Sequence, residues 1–106
     1  MNDEYEKTVT EIIATSGNAR SCMIQAIWRA REGAFNEVDK LIGQAEKDIN
    51  QAHIIQTGLL QDEVCGQSMP VTLLMVHAQD HLMTSITVKE LALELIKEIK
   101  IRIEKD

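Results

Sequence analysis

The chain has 106 residues, of which 44% are hydrophobic but only 3% aromatic, which fits a single domain with a core of aliphatic side chains. Its formal net charge of -6 disfavours nucleic acid and anionic membrane surfaces as partners, because both attract clustered lysine and arginine. One proline and five glycines argue against a fold of many short strands and turns, so helices are favoured.

Residues 3–31 are predicted to form the first helix, because apolar residues recur along them at helical spacing. Acidic residues in the first turn favour the helix dipole, and Gly33, which follows two arginines, is typical of a helix end. Gly17 interrupts the pattern. We expect either a bend at Gly17 or the close approach of a neighbouring helix or ligand, because glycine weakens a helix interior.

Residues 35–61 are predicted to form a second, amphipathic helix. His53 and Gln56 lie near its end at positions i and i+3, so they share one face. They are candidates for lining a functional pocket, and a histidine simply packed at a helix end is the alternative. Residues 62–70 form the predicted loop, in which Pro70 suits the first turn of the next helix.

Residues 71–104 are predicted to form the third helix, whose first half is apolar on nearly every side. A helix of that kind is buried on nearly every side. In a protein this small, we therefore expect contacts between subunits in addition to an internal core. The chain as a whole, residues 1–106, is predicted to be one all-α domain with the architecture of an antiparallel three-helix bundle.

Within this third helix, His77, Asp80 and His81 stand at i, i+3 and i+4 and share one face. Three explanations compete. In the first, they are buried polar side chains that hydrogen-bond one another. In the second, they form a metal site in which two histidines ligate one ion and the aspartate assists. In the third, they form a site of nucleophilic catalysis. In the third case an imidazole nitrogen attacks a phosphorus centre and later passes the phosphoryl group on.

Phosphoryl chemistry needs hydrogen-bond donors for the phosphoryl oxygens and a group that fixes the imidazole tautomer. His81 and Gln79 are the candidate donors beside His77, and Asp80 either orients a ring or binds a cation. No glycine-rich phosphate cradle is present, so nucleotide binding is not indicated. These residues by themselves leave the structural, metal and phosphoryl explanations open.

The two cysteines, Cys22 and Cys65, are far apart in sequence, so neither a disulfide scaffold nor a zinc ribbon is indicated. We expect Cys22 in the core and Cys65 in the loop. Residues 1–6 do not resemble a signal peptide, and no apolar run approaches the roughly 18 residues of a membrane span. The sequence therefore predicts a cytoplasmic protein without direct membrane insertion. Its acidity fits a basic protein partner or a plain solvated surface.

The run Val76–Ser85, VHAQDHLMTS, resembles the signature of the lactose/cellobiose-type enzyme IIA family of the bacterial phosphotransferase system. Two further segments are similar to the first- and second-helix segments of that family: Ser16–Ser21, SGNARS, and Asn50–Thr57, NQAHIIQT. The likeness extends over nearly the whole chain in length and in the order of three helices. The ten-residue run is highly specific, and the other two segments support it.

The resemblance implies a cytoplasmic three-helix protein that assembles as a homotrimer. It implies that His77 accepts a phosphoryl group from the phosphocarrier HPr and passes it to the cysteine of a cognate enzyme IIB, for uptake of a β-linked disaccharide such as cellobiose, chitobiose or lactose. It also implies that three copies of Asp80 face the threefold axis and share one divalent cation, typically Mg²⁺. The alternatives are a metal-binding helical protein that uses His77, Asp80 and His81, and a purely structural helical oligomer.

Overall fold

Three long helices make up the computed structural model, which describes residues 3–105. They are α1 (Asp3–Arg31), α2 (Phe35–Val64) and α3 (Leu73–Lys105). Residues 3–105 contain no strand, so the predicted all-α, three-helix architecture is confirmed. Across these residues, no helix combines the length and hydropathy that a bilayer crossing requires. Outside the described part of the predicted domain 1–106 lie its ends: Met1, Asn2 and Asp106.

Short connections fold the helices into an elongated up-down-up bundle that measures 58 × 23 × 20 Å. α1 packs along both α2 and α3, whereas α2 and α3 touch each other little. The first helix therefore forms the middle of the bundle. The side of the bundle away from α1 is left as an open groove between α2 and α3.

Two apolar clusters form the core. The turn cluster lies towards the connection between α1 and α2, and it consists of Ala19, Cys22, Met23, Ala26, Ala30, Val38, Ala45, Ile49, Ala92 and Ile96. The loop cluster lies towards the connection between α2 and α3, and it consists of Tyr5, Val9, Ile12, Ala52, Met75, Ala78 and Leu82. Along both α1 and α3 the boundary between the clusters is marked by a buried serine, Ser16 and Ser85 respectively.

Gly33 ends α1, as the sequence predicted. Its φ of 76° lies in the left-handed region, which glycine adopts without steric cost. Its N–H donates to the carbonyl oxygen of Ala30 (2.9 Å), and the N–H of Ala34 donates to that of Arg29 (3.0 Å). This pair of bonds is the Schellman motif, which satisfies carbonyls that a helix end leaves free.

Gly66 ends α2 by the same motif, with a φ of 87°. The N–H of Gln67 donates to the carbonyl oxygen of Asp62 at 2.8 Å. Because this glycine sits two residues beyond the last helical residue, α2 continues to Val64. The predicted end at residue 61 was therefore too early.

The start of α3 depends on Thr72, whose role the sequence reading missed. α3 begins at Leu73, two residues later than predicted, so Pro70 precedes the helix instead of opening it. Thr72 Oγ1 accepts a hydrogen bond from the N–H of Met75 (3.1 Å), which is the bonding of an N-cap residue. The Tyr5 hydroxyl donates to the carbonyl oxygen of Pro70 (2.8 Å) and lies 2.7 Å from Thr72 Oγ1. The loop is thereby attached to the first turns of α1.

Of the two expectations at Gly17, a bend or a close approach, the close approach of a neighbouring helix of the same chain is wrong. α1 is helical through this residue, and no neighbouring part of the structure comes within 4 Å of the position that a Cβ atom would occupy. The close contact is made one residue earlier, where the carbonyl oxygen of Ser16 accepts a hydrogen bond of 2.6 Å from Ser85 Oγ. A small buried hydroxyl on α3, not the missing side chain of a glycine, lets the two helices approach.

Candidate functional site

His77 and His81 form a pair on α3. Their Nε2 atoms are 3.1 Å apart, and the rings meet edge to face, with centroids 4.5 Å apart and planes at 84°. His77 is exposed and His81 is partly buried. A hydrogen bond between two imidazole nitrogens needs a proton on one and a lone pair on the other. The pair therefore presents an accessible His77 ring whose Nε2 is in contact with the neighbouring imidazole.

The surroundings of His77 are apolar. Leu73 and Leu74 line a shallow surface depression together with His77. Leu73 lies one helical turn before the histidine and is 85% exposed. An exposed imidazole bordered by an exposed and a partly buried leucine suits contact with another protein better than it suits an enclosed pocket for a small molecule.

Asp80 is exposed on α3. Within residues 3–105, no group of three or more His, Cys, Asp or Glu side chains is arranged to hold a metal ion. His77, Asp80 and His81 therefore do not form a three-ligand metal centre within one chain. The two histidines bond each other, and the carboxylate takes no part in their contact.

Gln79 and Gln56 lie on the other side of α3 from the histidine pair. Residues 77 and 79 are about 200° apart around a helix. The amide Nε2 of Gln56 donates to Oε1 of Gln79, and Nε2 of Gln79 lies 3.7 Å from Met75 Sδ. The two glutamines thus form a bridge between α2 and α3. Within one chain they are not brought to His77, where the sequence reading expected them as donor and pocket residue.

The glutamine bridge belongs to the open groove between α2 and α3. This groove has a volume of ≈ 330 Å³ and is mostly apolar, and it is lined by Gln56, Leu59, Leu60, Glu63, Met69, Val71, Met75, Val76 and Gln79. The sequence did not predict this groove, because the excess of apolar residues at the start of α3 was assigned to contacts between subunits.

His53 and the cysteines contribute nothing to the histidine pair. His53 is exposed on α2 and lines a separate shallow surface with Asn50, Ile54, Thr57, Gly58 and Gln61. Within one chain it is therefore not part of the surface around His77. Cys22 is buried and Cys65 is exposed just after α2, as the sequence predicted for both.

An exposed stripe runs along α3 past Asp80. With Asp80 counted, its members from residue 73 to residue 83 recur at intervals of three or four, and the last follows eight residues later; the apolar members are well exposed: Leu73, Val76, Met83 and Leu91. Apolar residues at this spacing form the seam of associating helices. The apolar residues predicted on nearly every side of α3 thus form two groups. One group is buried in the core, and the other is exposed to solvent.

Ser16 and Ser85 are polar residues near the pair that the sequence reading overlooked. Ser85 Oγ lies 2.6 Å from the carbonyl oxygen of Ser16 and 2.7 Å from that of His81. The signal was present, because Ser16 falls on the same stripe as the buried Ile12 and Ala19. A serine at a core position of an amphipathic helix indicates a buried hydroxyl that needs a partner.

Residues 7–100 match the family described as the lactose/cellobiose-specific IIA subunit of the PTS system, which confirms the resemblance carried by Val76–Ser85. The chain belongs to this family. It is therefore a phosphotransferase component that acts as a phosphoryl carrier. The histidine pair and the exposed stripe are features of an enzyme IIA.

Individual relatives cover nearly the whole enzyme IIA. It is 44% identical over 97 residues to the lichenan-specific phosphotransferase enzyme IIA component of Bacillus subtilis, which covers 92% of this chain and 88% of that protein. The crystal structure of the cellobiose-specific enzyme IIA from Bacillus anthracis superposes with a TM-score of 0.94 and 42% identity, over 100% of this chain and 97% of the other.

A further solved structure is that of a IIA(chitobiose)–HPr complex from the N,N'-diacetylchitobiose branch of the Escherichia coli phosphotransferase system. It matches with a TM-score of 0.79 and 37% identity, over 93% of this chain and 96% of the other. The identities and the fold agreement together exclude a resemblance limited to a short motif.

Proposed function

We propose that His77 is the phosphorylated residue of this enzyme IIA, accepting the phosphoryl group from HPr and passing it to the cysteine of a cognate enzyme IIB. The observation that carries the proposal is the contact of 3.1 Å between Nε2 of His77 and Nε2 of His81. It leaves an exposed imidazole with a defined neighbour that can hold a proton near the reacting nitrogen. The solved IIA(chitobiose)–HPr complex of a relative supports HPr as the donor.

The chemistry follows from the two rings. A neutral His77 attacks phosphorus with a nitrogen lone pair, the bond from phosphorus to the donor atom of HPr breaks, and a phosphohistidine forms. His81 then donates a hydrogen bond to a phosphoryl oxygen, which stabilises the negative charge. The exposure of His77 allows two different proteins to reach it in turn.

The test is an incubation with phosphoenolpyruvate, enzyme I and HPr. We expect one acid-labile phosphoryl group per chain on the wild type and none on His77→Ala. His53→Ala is the matched control, because it removes an equally exposed histidine from α2 and should keep the full label. An unlabelled wild type, or a labelled His77→Ala protein, would show that this carrier site is assigned wrongly. A labelled protein also excludes a purely structural oligomer.

We further propose that the transporter served by this carrier takes a β-linked disaccharide, of the cellobiose or chitobiose type in preference to lactose. The relatives named for lichenan, cellobiose and N,N'-diacetylchitobiose support this choice. The carrier itself is proposed to act in the cytoplasm, where HPr and enzyme IIB meet it. Phosphoenolpyruvate-dependent uptake of each sugar, in cells with and without the protein, decides the sugar, and loss of lactose uptake alone would contradict our preference.

The exposed stripe of α3 supports a homotrimer. Leu73, Val76, Met83 and Leu91 would remain in water in a single chain, and their burial against α3 of two further copies removes that cost. The spacing is that of an association seam. We propose that three copies of α3 pack about a common axis, with Asp80 as the polar member of the seam.

Asp80 is the residue that would hold a divalent cation in this trimer, and Mg²⁺ fits because it prefers carboxylate oxygens. Three carboxylates brought together repel each other strongly where water is excluded. A bound cation would supply the compensating positive charge there, one per trimer. Asp80 is exposed and lies on the seam. Its charge therefore affects the association of the three chains and no step of phosphoryl transfer.

Sedimentation with and without Mg²⁺ tests the assembly. We expect a trimer that is weakened by a chelator, and Asp80→Asn should remove that dependence because the repelling charges are gone. Asp80→Leu should keep the fold of the chain. A leucine there loses the same charges but adds volume at the axis, so the two variants separate electrostatic from packing effects. A monomeric wild type in both conditions, or a trimer whose Mg²⁺ dependence survives in Asp80→Asn, would contradict this arrangement.

A further inference from the structure

Two buried polar atoms near the histidine pair lack hydrogen-bond partners. They are Ser16 Oγ on α1 and His81 Nδ1 on α3. Ser16 is fully buried, with 0% of its surface exposed. Buried polar atoms are nearly always paired, so two such atoms beside a reactive site need an explanation.

The two atoms belong to residues that the fold holds together. The single hydroxyl of Ser85 contacts the carbonyl oxygen of Ser16 at 2.6 Å and that of His81 at 2.7 Å. The backbones of α1 and α3 are therefore fixed against each other at this level. The opposite side of the His81 ring is also fixed, because its Nε2 contacts His77. Nδ1 is thus the buried end of a ring whose other end reaches the surface.

We propose that Ser16 is a positioning residue for phosphoryl transfer: its Oγ–H donates a hydrogen bond to Nδ1 of His81, after a rotation about χ1 of Ser16. This inference rests on the proposed role of His77. A hydroxyl supplies both a proton and the freedom to rotate, and Nδ1 supplies the lone pair. One bond then satisfies both atoms, and it places the proton of the neutral His81 ring on Nε2.

The position of that proton determines which nitrogen of His77 reacts. With a proton on its Nε2, His81 donates to Nε2 of His77, so the neutral His77 carries its own proton on Nδ1. The Nε2 lone pair of His77 is then the nucleophile. As the bond from Nε2 to phosphorus forms and the bond from phosphorus to HPr breaks, the His77 Nδ1 proton stays on the ring. The N–H of His81 turns from the consumed lone pair to a phosphoryl oxygen.

The direct test is the tautomer of His81, read from nitrogen NMR of ¹⁵N-histidine-labelled protein at mildly alkaline pH, where imidazoles are neutral. In the wild type we expect His81 to be protonated on Nε2 and unprotonated on Nδ1. In Ser16→Ala both tautomers should appear. Ser21→Ala is the control, since it removes an exposed hydroxyl of α1 that bonds the Gln25 side chain, and it should leave the tautomer as in the wild type.

The second measurement is the lifetime of the phosphohistidine. Ser16→Ala should shorten it by about two- to tenfold, the factor that one neutral hydrogen bond contributes, whereas Ser21→Ala should leave it unchanged. A wild-type His81 with its proton on Nδ1 would overturn the proposal without any variant, and so would a Ser16→Ala protein that keeps the wild-type tautomer. The tautomer is measured on unphosphorylated protein, so this failure is distinct from a failure of His77 to accept phosphoryl.

Discussion

The turn cluster and the loop cluster are built on the same three helices, yet they are surrounded by different chemistry. Around the turn cluster, α1 and α2 are joined by exposed groups, namely two ion pairs, a short Schellman turn and the hydrogen bond from Asn18 to Asp48. Around the loop cluster, hydroxyl and amide groups join distant parts of the chain, as in the contacts of Tyr5 with residues 70 and 72 and of Gln56 with Gln79.

The difference indicates where the molecule needs a fixed geometry. An all-apolar cluster sets the distance between helices but tolerates small rotations, since apolar contacts are non-directional. Hydrogen bonds fix rotation as well, because they weaken steeply with angle. The histidine pair lies on α3 beside the loop cluster, so it is held by directional bonds. The turn cluster has only to hold the three helices together.

The largest effect expected is from matched cavities in the two clusters. Leu82 in the loop cluster and Met23 in the turn cluster are both fully buried, and truncation of either to alanine should cost about 2–5 kcal/mol of unfolding free energy. Urea titrations at one protein concentration measure this, since association adds to stability. Under conditions where both variants are folded, only Leu82→Ala should slow phosphorylation of His77. Equal slowing by Met23→Ala would contradict a functional division between the clusters.

A smaller effect is expected from the hydroxyl that fastens the loop. Tyr5→Phe removes the bonds to Pro70 and Thr72 while keeping the ring in the loop cluster, and it should lower the unfolding free energy by about 1–2 kcal/mol. Thr8→Ala is the control, because its hydroxyl bonds only the Glu4 carbonyl on the exposed side of α1. Urea denaturation compares the two. Equal losses would mean that the loop is not held by Tyr5.

Removal of a polar side chain near the turn cluster should lower the unfolding free energy by less. Arg29 pairs with Glu32 at 2.8 Å and with Glu37 at 3.4 Å, and all three side chains are about half exposed. Because water screens such pairs, Arg29→Ala should cost at most about 1 kcal/mol, and less in high salt. Denaturation at two salt concentrations tests this. A loss as large as that of Tyr5→Phe, and independent of salt, would remove the contrast between the two ends.

The sequence was sufficient for the bundle because helical periodicity is a local signal that repeats over about thirty residues in each helix. The end of α2 and the start of α3 were predictable from the sequence, although both were predicted wrongly, because Gly66 and Thr72 are ordinary stop and start residues. His77 and His81 were also predictable, because residues four apart face each other on any helix. Within one chain Gln79 lies on the other side of α3 from this pair, because two residues along a helix point in nearly opposite directions.

The serines required the three-dimensional structure. Ser16 could be assigned to the core from its spacing, but its relation to His81 depends on the register in which α1 packs against α3, which no local pattern specifies. The hydrogen bond from Ser85 to the carbonyl of Ser16 spans 69 residues of sequence. The glutamine bridge likewise depends on which faces α2 and α3 turn towards their groove.

The smallest expected effect concerns the turn cluster and alkaline pH. Burial, and then the charge of Asp48, raise the pKa of the Cys22 thiol above its ordinary value of 9.0. A thiol with a raised pKa in the folded chain holds its proton more tightly there than in the unfolded chain. Its contribution to stability is therefore complete below the unfolded pKa and is lost as the pH rises through the folded pKa.

We therefore expect the unfolding free energy of the wild type to fall above about pH 9 more steeply than that of Cys22→Ala. The slopes are measured by urea denaturation at a series of pH values. Their difference does not contain the contribution of groups that titrate in both proteins, nor the pH-independent loss caused by the cavity that the alanine leaves. Cys65→Ala is the control because that thiol is exposed, and it should keep the wild-type slope. Asp48→Asn should give an intermediate slope, since it removes the second cause and leaves burial. Identical slopes for wild type and Cys22→Ala would show that the turn cluster admits enough water to hold a thiolate, and its contrast with the loop cluster would then rest on hydrogen bonds alone.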